Sequence, residues 1–258
     1  MSGQETLLDL LDARSGIVCA VGAGGKKSVL QHLAARHPGR VALTATVVTT
    51  RFPEELGFDA AIADDESLAA RVAALDRARS AAYACPSDKP GRHAGVSPAV
   101  IERIHREQGF AATYVKADGA RMRWIKAPAE DEPVLPPGCS RIIAVVSALA
   151  IGEPLGPRVA HRLEELQRVT GLALGEPIAP SHVGRLIASR AGLMKGAGDR
   201  RILPLINMVD DAHREALARA AAEAALDLDP SIGQVVLACL HRADDPVVAV
   251  VRRHGGPA

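Results

Sequence analysis

Val18-Cys19-Ala20-Val21-Gly22-Ala23-Gly24-Gly25-Lys26-Lys27-Ser28 is the stretch whose reading decides the fold. It continues an apolar run from Ile17 to Val21 that reads as a buried strand. Three glycines in four positions follow, then two lysines, and from Val29 to Ala35 the apolar spacing turns helical. Strand, glycine-rich turn, lysine and helix are the parts of a phosphate-binding loop. Glycines let backbone N–H groups turn inward around phosphate oxygens, and a lysine adds a mobile positive charge. The full spacing is G-x-x-x-x-G-K-[ST]. Gly25-Lys26 supply its Gly-Lys, but Ala20 stands at the first glycine and Lys27 at the hydroxyl position. A bare strand-to-helix turn is the alternative reading.

The same alternation runs outward along the chain. Strands are expected at Gly16–Val21, Val41–Val48, Ala81–Cys85, Ala111–Asp118, Arg141–Val146, Arg201–Ile206 and Gln234–Leu240. Helices are expected at Lys26–Arg36, Ser67–Leu75, Pro98–Gln108, His161–Thr170, Ser181–Ala191 and Asp211–Leu226. Several strands are almost continuously apolar, as when a sheet is covered on both faces. The pattern predicts an α/β fold, P-loop NTPase-like, with a mostly parallel sheet and helices on both faces. Residues 1–258 read as a single domain with loop excursions, a division near Gly138 being the alternative. The proline-rich stretch Lys126–Pro137 reads as an extended connection and Pro86–Ser97 as a loop. Ligands of such sheets bind beyond the carboxyl ends of the strands. Gly22–Lys26, Asp118 and Asn207 all fall just after such ends.

Composition narrows the function classes. Hydrophobic residues make up 48% of the chain but aromatics only 2%, so the core is built from Ala, Val, Leu and Ile. Few aromatics and a net charge of +1 argue against nucleic-acid binding. The N-terminal Met-Ser-Gly-Gln-Glu lacks signal-peptide features, and no apolar run reaches the ~20 residues a bilayer needs. A cytoplasmic location without membrane attachment is expected. None of Cys19, Cys85, Cys139 and Cys239 forms a C-x-x-C pair. Cys19 and Cys239 read as buried thiols. Cys85 and Cys139, beside prolines in expected loops, are open to sulfur or selenium chemistry.

The candidate site residues follow from these placements. Gly22, Ala23, Gly24, Gly25, Lys26, Lys27 and Ser28 line the phosphate turn. Lys26 is the leading phosphate ligand, because a lysine at a helix N-terminus is locally unfavourable without an anion. Lys27 stands where a hydroxyl ordinarily ligates Mg²⁺, and its ammonium repels a cation. Ser28 supplies a hydroxyl to the metal only if the loop shifts. Asp118, at a strand end, is the candidate for holding Mg²⁺ or positioning water, an Asp-Gly turn being the alternative. Thr49-Thr50-Arg51 form a candidate nucleotide-sensing loop, ordinary strand threonines being the alternative. Asn207-Met208-Val209-Asp210 resembles the N-K-x-D element that reads guanine, with Met208 in the lysine position. Asp210 serves equally as a helix N-cap. Arg121 is a candidate phosphate or acidic-partner contact, a surface salt bridge being the alternative, and Glu130 and Glu132 are candidate contacts to a second substrate or protein, a solvated loop being the alternative. His93, His105, His161 and His182 show no metal spacing and are read as surface or capping residues.

Several blocks together resemble the family of selenium-dependent hydroxylase accessory proteins called YqeC. Val21 to Lys26 match its V-G-A-G-G-K turn. Lys116-Ala117-Asp118-Gly119-Ala120-Arg121 is similar to its E-A-D-G-A-R, with Lys116 in place of the acidic residue. Lys126-Ala127-Pro128-Ala129-Glu130-Asp131-Glu132-Pro133 is similar to K-A-P-A-E-H-E-P, and Leu205–Asp210 to L-L-N-K-x-D. The blocks occur in family order. The resemblance implies a P-loop nucleotide-binding protein, an NTPase using Mg²⁺ with ATP or GTP. It further implies an accessory role in maturation of molybdenum hydroxylases, in contact with maturation proteins or the client enzyme. A small-molecule kinase on the same fold, or a non-catalytic nucleotide-gated scaffold, are the alternatives.

Overall fold

The apolar run of the quoted stretch becomes β1 (Gly16–Gly22), buried from Ile17 onward. The computed structural model describes residues 5–242 and 245–253, so Met1 to Gln4, part of the segment read for a signal peptide, lie outside the described residues. The chain forms two compact units. One comprises Met1–Ala20, Lys27–Gly119 and Val134–Arg141, the other Val21–Lys26, Ala120–Pro133 and Ile142–Ala258. Among the described residues, five main strands in the first unit and four in the second, beside two-residue ladders, give a mostly parallel α/β architecture, in keeping with a P-loop NTPase-like fold.

Along the first unit follow α1 (Leu7–Leu10), α2 (Lys26–Arg36), β2 (Val41–Ala45), β3 (Thr49–Thr50), β4 (Asp59–Ile62), α3 (Asp65–Ala73), β5 (Ala81–Ala84), β6 (Arg92–His93), α4 (Pro98–Gln108) and β7 (Ala112–Lys116). Its main strands lie in the order β1-β7-β2-β5-β4, each neighbouring pair parallel. Every residue of β2 and β5 is buried, which explains their unbroken Ala, Val and Leu content. Lys116 of β7 stands level with Ala20 of β1 and Ala45 of β2. The three strands therefore end together, and Asp118 and the segment from Thr46 leave the sheet at this one edge.

The second unit holds β8 (Ile125–Lys126), β9 (Cys139–Ser147, which begins in the first unit), β10 (Ala160–His161), α5 (Leu163–Thr170), α6 (Pro180–Ala188), β11 (Arg201–Asn207), α7 (Ala212–Leu228), β12 (Gln234–Ala238) and β13 (Val247–Arg252). The order is β9-β11-β12-β13, with β12 parallel to β11 and antiparallel to β13. A buried alanine stripe on α7, Ala218, Ala221, Ala222 and Ala225, lets α6 approach closely.

Local signals predict some boundaries well. α4 starts with Pro98 after Ser97 and stops at Gly109 in the left-handed region. Other expectations need correction. The strand expected to reach Val48 ends at Ala45. Val48 is 42% exposed, and Thr49–Thr50 pair instead with Arg92–His93 in a small antiparallel ladder. The helix expected from Asp211 begins at Ala212, and Asp211, not Asp210, is its N-cap, accepting the Arg214 N–H at 2.8 Å. Cys139 opens β9 and is buried, rather than lying in a loop.

Candidate phosphate-binding turn

Gly24 and Gly25 have φ of +83° and +119°, in the left-handed region. They are also pinned from below. A Cβ on Gly24 would stand 2.5 Å from Ser147 Cβ, and one on Gly25 would collide with the Asn207 amide nitrogen. Only glycine satisfies both demands. The bed beneath the turn comes from elsewhere in the second unit. Ala23 N–H donates to Val145 O at 2.9 Å, and Gly24 N–H to Arg123 O at 3.1 Å. Asn207, at the end of β11, donates from Nδ2 to Gly24 O at 2.9 Å. Ala23 and Gly24 thus spend their N–H groups on the fold.

Lys26 is buried, and its ammonium donates to the Gly22 carbonyl oxygen, so it curls over its own turn. α2 has no acidic residue in its first turn; Lys26 and Lys27 open it instead. Two cationic side chains at the positive end of a helix dipole form an electrostatic conflict that an anion relieves. Asn207 Oδ1 is buried without a hydrogen-bond partner among the described residues. Ser147 was not anticipated from sequence. It is fully buried, accepts Leu149 N–H at 3.1 Å and donates to Met208 Sδ at 3.1 Å. Met208 itself has φ of +61°. Asp210 is exposed. Its Oδ1 accepts the Cys239 thiol at 3.1 Å, and its Oδ2 lies 3.9 Å from Arg214.

In the first unit, the Lys27 ammonium donates to Thr50 Oγ1. Burial, and then the charge of Arg92, lower its pKa. Lys27, Thr49, Thr50, Thr44, Phe52 and Lys116 line a cavity of only about 10 Å³, room for about one water. Lys116 is tied to Val48 O at 2.9 Å. Ser28 is exposed on α2, and Asp118 is buried just past β7. Among the described residues no group of three or more His, Cys, Asp or Glu is placed to hold a metal.

The Lys126–Pro133 block folds around an ion pair. Lys126 is fully buried, and its Nζ donates to Glu132 Oε2 at 2.6 Å. The same oxygen accepts Ala129 N–H at 3.1 Å, while Arg162 Nη2 lies 3.8 Å from Glu132 Oε1. Glu130 is exposed. Arg162 escaped the sequence reading because nothing local links it to Glu132, thirty positions earlier. The other histidines take structural places: His182 Nδ1 accepts Ala179 N–H at the start of α6, His105 bonds Thr113, and His93 stacks on Phe52. Cys85 donates to Asp65, and burial together with that carboxylate pushes its pKa up to about 12. It is a poor thiolate source, which argues against sulfur chemistry there.

Comparison with known proteins is consistent with these blocks. The model of the family described as "YqeC protein" matches residues 18–164, more than half of the chain. A relative from Escherichia coli (strain K12), named "Uncharacterized protein YqeC", is 27% identical over 198 residues, covering 73% of this chain and 75% of its own length.

Proposed function

We propose, from the premise that the chain belongs to the YqeC family, that it binds a nucleoside triphosphate by its phosphates at the Gly22–Lys26 turn. The observation that carries this reading is the turn itself. Glycine-only backbone braced by Asn207 and Ser147 delivers a buried lysine and a helix N-terminus to one point. Gly25, Lys26 and the first turn of α2 would hold phosphate oxygens. Asp118 would hold Mg²⁺ or position water, and Thr49 and Thr50 would respond to the nucleotide beside Lys27. Asn207 and Asp210 would read the base, on the likeness of Asn207–Asp210 to N-K-x-D, with Asp210 exchanging its Cys239 and Arg214 contacts for the base edge and favouring GTP over ATP. In a cytoplasmic setting, nucleotide binding and slow hydrolysis would serve molybdenum-hydroxylase maturation, the role the family resemblance implies.

A melting screen with ATP, GTP and CTP, each with and without Mg²⁺, tests this. A nucleotide at a hundred times its Kd stabilises the fold by ~2.7 kcal/mol. The expected result is stabilisation by GTP more than ATP, with Asp118→Asn losing the Mg²⁺-dependent part only. No stabilisation by any nucleotide at millimolar concentration would end the proposal.

A further inference from the structure

The first turn of α5 is preceded by His161 and Arg162, and these two residues meet the Lys126–Glu132 pair. β10 and β8 are parallel with His161 in register with Lys126. Arg162 reaches Glu132, and its Nε is buried without a hydrogen-bond partner among the described residues. The loop beneath is held fast, because Lys195 Nζ donates to Ala129 O at 2.5 Å and to Glu130 O at 2.8 Å. Three non-glycine residues here adopt left-handed backbone: Arg121 at φ +46°, Met122 at +59° and Arg162 at +63°. Such conformations cost free energy and persist where the surroundings impose them. Met122 is 89% exposed, so apolar burial does not account for its conformation.

The charges are unbalanced. Those that act on His161 are Lys126, Arg162 and Arg121 on one side and Glu132 on the other. Among them Lys126 acts most strongly and Glu132 least, so the set is net cationic at the imidazole. Burial first, and then these cations, hold the imidazole below its ordinary pKa, so it is neutral near pH 7. Guanidinium groups beside a neutral imidazole, on a braced loop, suit a compact dianion better than a single carboxylate. The site also lies close along the chain to the glycine turn: Arg123, two residues past Arg121, accepts the Gly24 N–H.

We propose that Arg121, His161 and Arg162, backed by the buried Lys126–Glu132 pair, bind the phosphate monoester group of a second substrate, separate from any nucleotide on the glycine turn. The site needs no contribution from Lys26, so it stands or falls apart from nucleotide binding.

The test uses the full chain and inorganic phosphate as probe. Histidine side-chain NMR follows each imidazole pKa, with His161→Gln identifying the His161 signal. Phosphate is expected to raise the His161 pKa saturably, while chloride and acetate at equal ionic strength do not. Arg121→Gln and Arg162→Gln are each expected to weaken the phosphate Kd at least tenfold, and Lys26→Ala to leave it within twofold. Arg121 is exposed, so its variant keeps the fold even if Arg162→Gln disturbs Glu132. A His161 signal indifferent to phosphate would overturn the proposal, as would an equal response to acetate. A phosphate response lost in Lys26→Ala but intact in Arg121→Gln would overturn it too, and would assign the anion to the glycine turn. Nucleotide titration of the same samples reports on that turn separately.

Discussion

Lys126 and Lys27 answer the problem of a lysine drawn out of water in opposite ways. Lys126 is fully buried and meets a carboxylate at 2.6 Å, itself held by a backbone N–H. Lys27 is half-buried, meets the hydroxyl of Thr50 and feels the repulsion of Arg92. The first charge is compensated inside the fold and serves architecture. The second is compensated by a neutral oxygen at the positive end of α2, where an incoming anion gains most. A buried charge with its counter-charge is a poor sign of ligand binding; one given only a dipole is a better one.

The largest effect should come from breaking the compensated pair. Glu132→Ala leaves the Lys126 ammonium uncompensated and should cost about 3–5 kcal/mol in denaturant unfolding. Lys126→Met combined with Glu132→Leu should recover most of that loss, since an apolar pair of similar volume has no charge to desolvate. If the double variant is as unstable as the single, the pair is more than a self-contained exchange of charges.

Lys26→Ala should leave the melting temperature of the nucleotide-free protein nearly unchanged. It should weaken nucleotide binding by about 10- to 100-fold in calorimetric titration, the worth of one charge-assisted contact of about 1.5–3 kcal/mol. Equal affinity in both proteins would remove Lys26 from the site and leave the turn a structural one.

Lys27→Thr sharpens the contrast from the other side. It restores a hydroxyl at the usual metal position and removes a repelling cation, so Mg²⁺ should strengthen nucleotide binding about tenfold more than in the wild type, or ~1.4 kcal/mol. An unchanged or weaker Mg²⁺ response would show that Lys27 takes over part of the metal's work.

The smallest effect concerns acid stability. Burial, and then the charge of Arg36, lower the His32 pKa to about 4 from 6.5. Its folded form resists protonation, so between pH 6.5 and about 4 the unfolded chain binds more protons. Stability therefore falls as pH drops through that window. His32 is only half-buried, and solvent screening reduces the expected loss to about 1 kcal/mol. Denaturant midpoints at pH 7 and pH 4.5 for wild type and His32→Gln would measure it, with a flatter profile expected in the variant.

Much of the fold was legible because its signals are local. α2 and α4 occur at the predicted limits, Lys26–Arg36 and Pro98–Gln108. Their starts and stops are written in adjacent glycine, serine and proline residues. The two-residue strands β3, β6, β8 and β10 were not legible, since so short a piece has no periodicity to detect. β13 was missed as well, although its Val-Val-Ala-Val-Val run is apolar. It is the antiparallel edge of the second unit's strands, outside the strand–helix alternation that guided the reading. Asp210 illustrates the limit at a single residue. Two adjacent aspartates precede α7, and only the backbone shows that Asp211 is the one whose side chain caps it.

By itself the sequence determined the α/β alternation, the strand–turn–helix around Gly22 to Lys26, and the presence of lysines where a helix dipole disfavours them. Each rests on residues a few positions apart, whose preferences act before any tertiary contact forms. Tertiary structure alone decided what the turn rests on: Val145 and Arg123 as acceptors, Ser147 beneath Gly24, and Asn207 brought 183 positions along the chain to the Gly24 carbonyl. It also decided that Lys126 is neutralised by Glu132 and that Arg162 joins them. Such contacts are fixed by strand register and loop closure, and local propensity carries no record of which distant residue will be opposite.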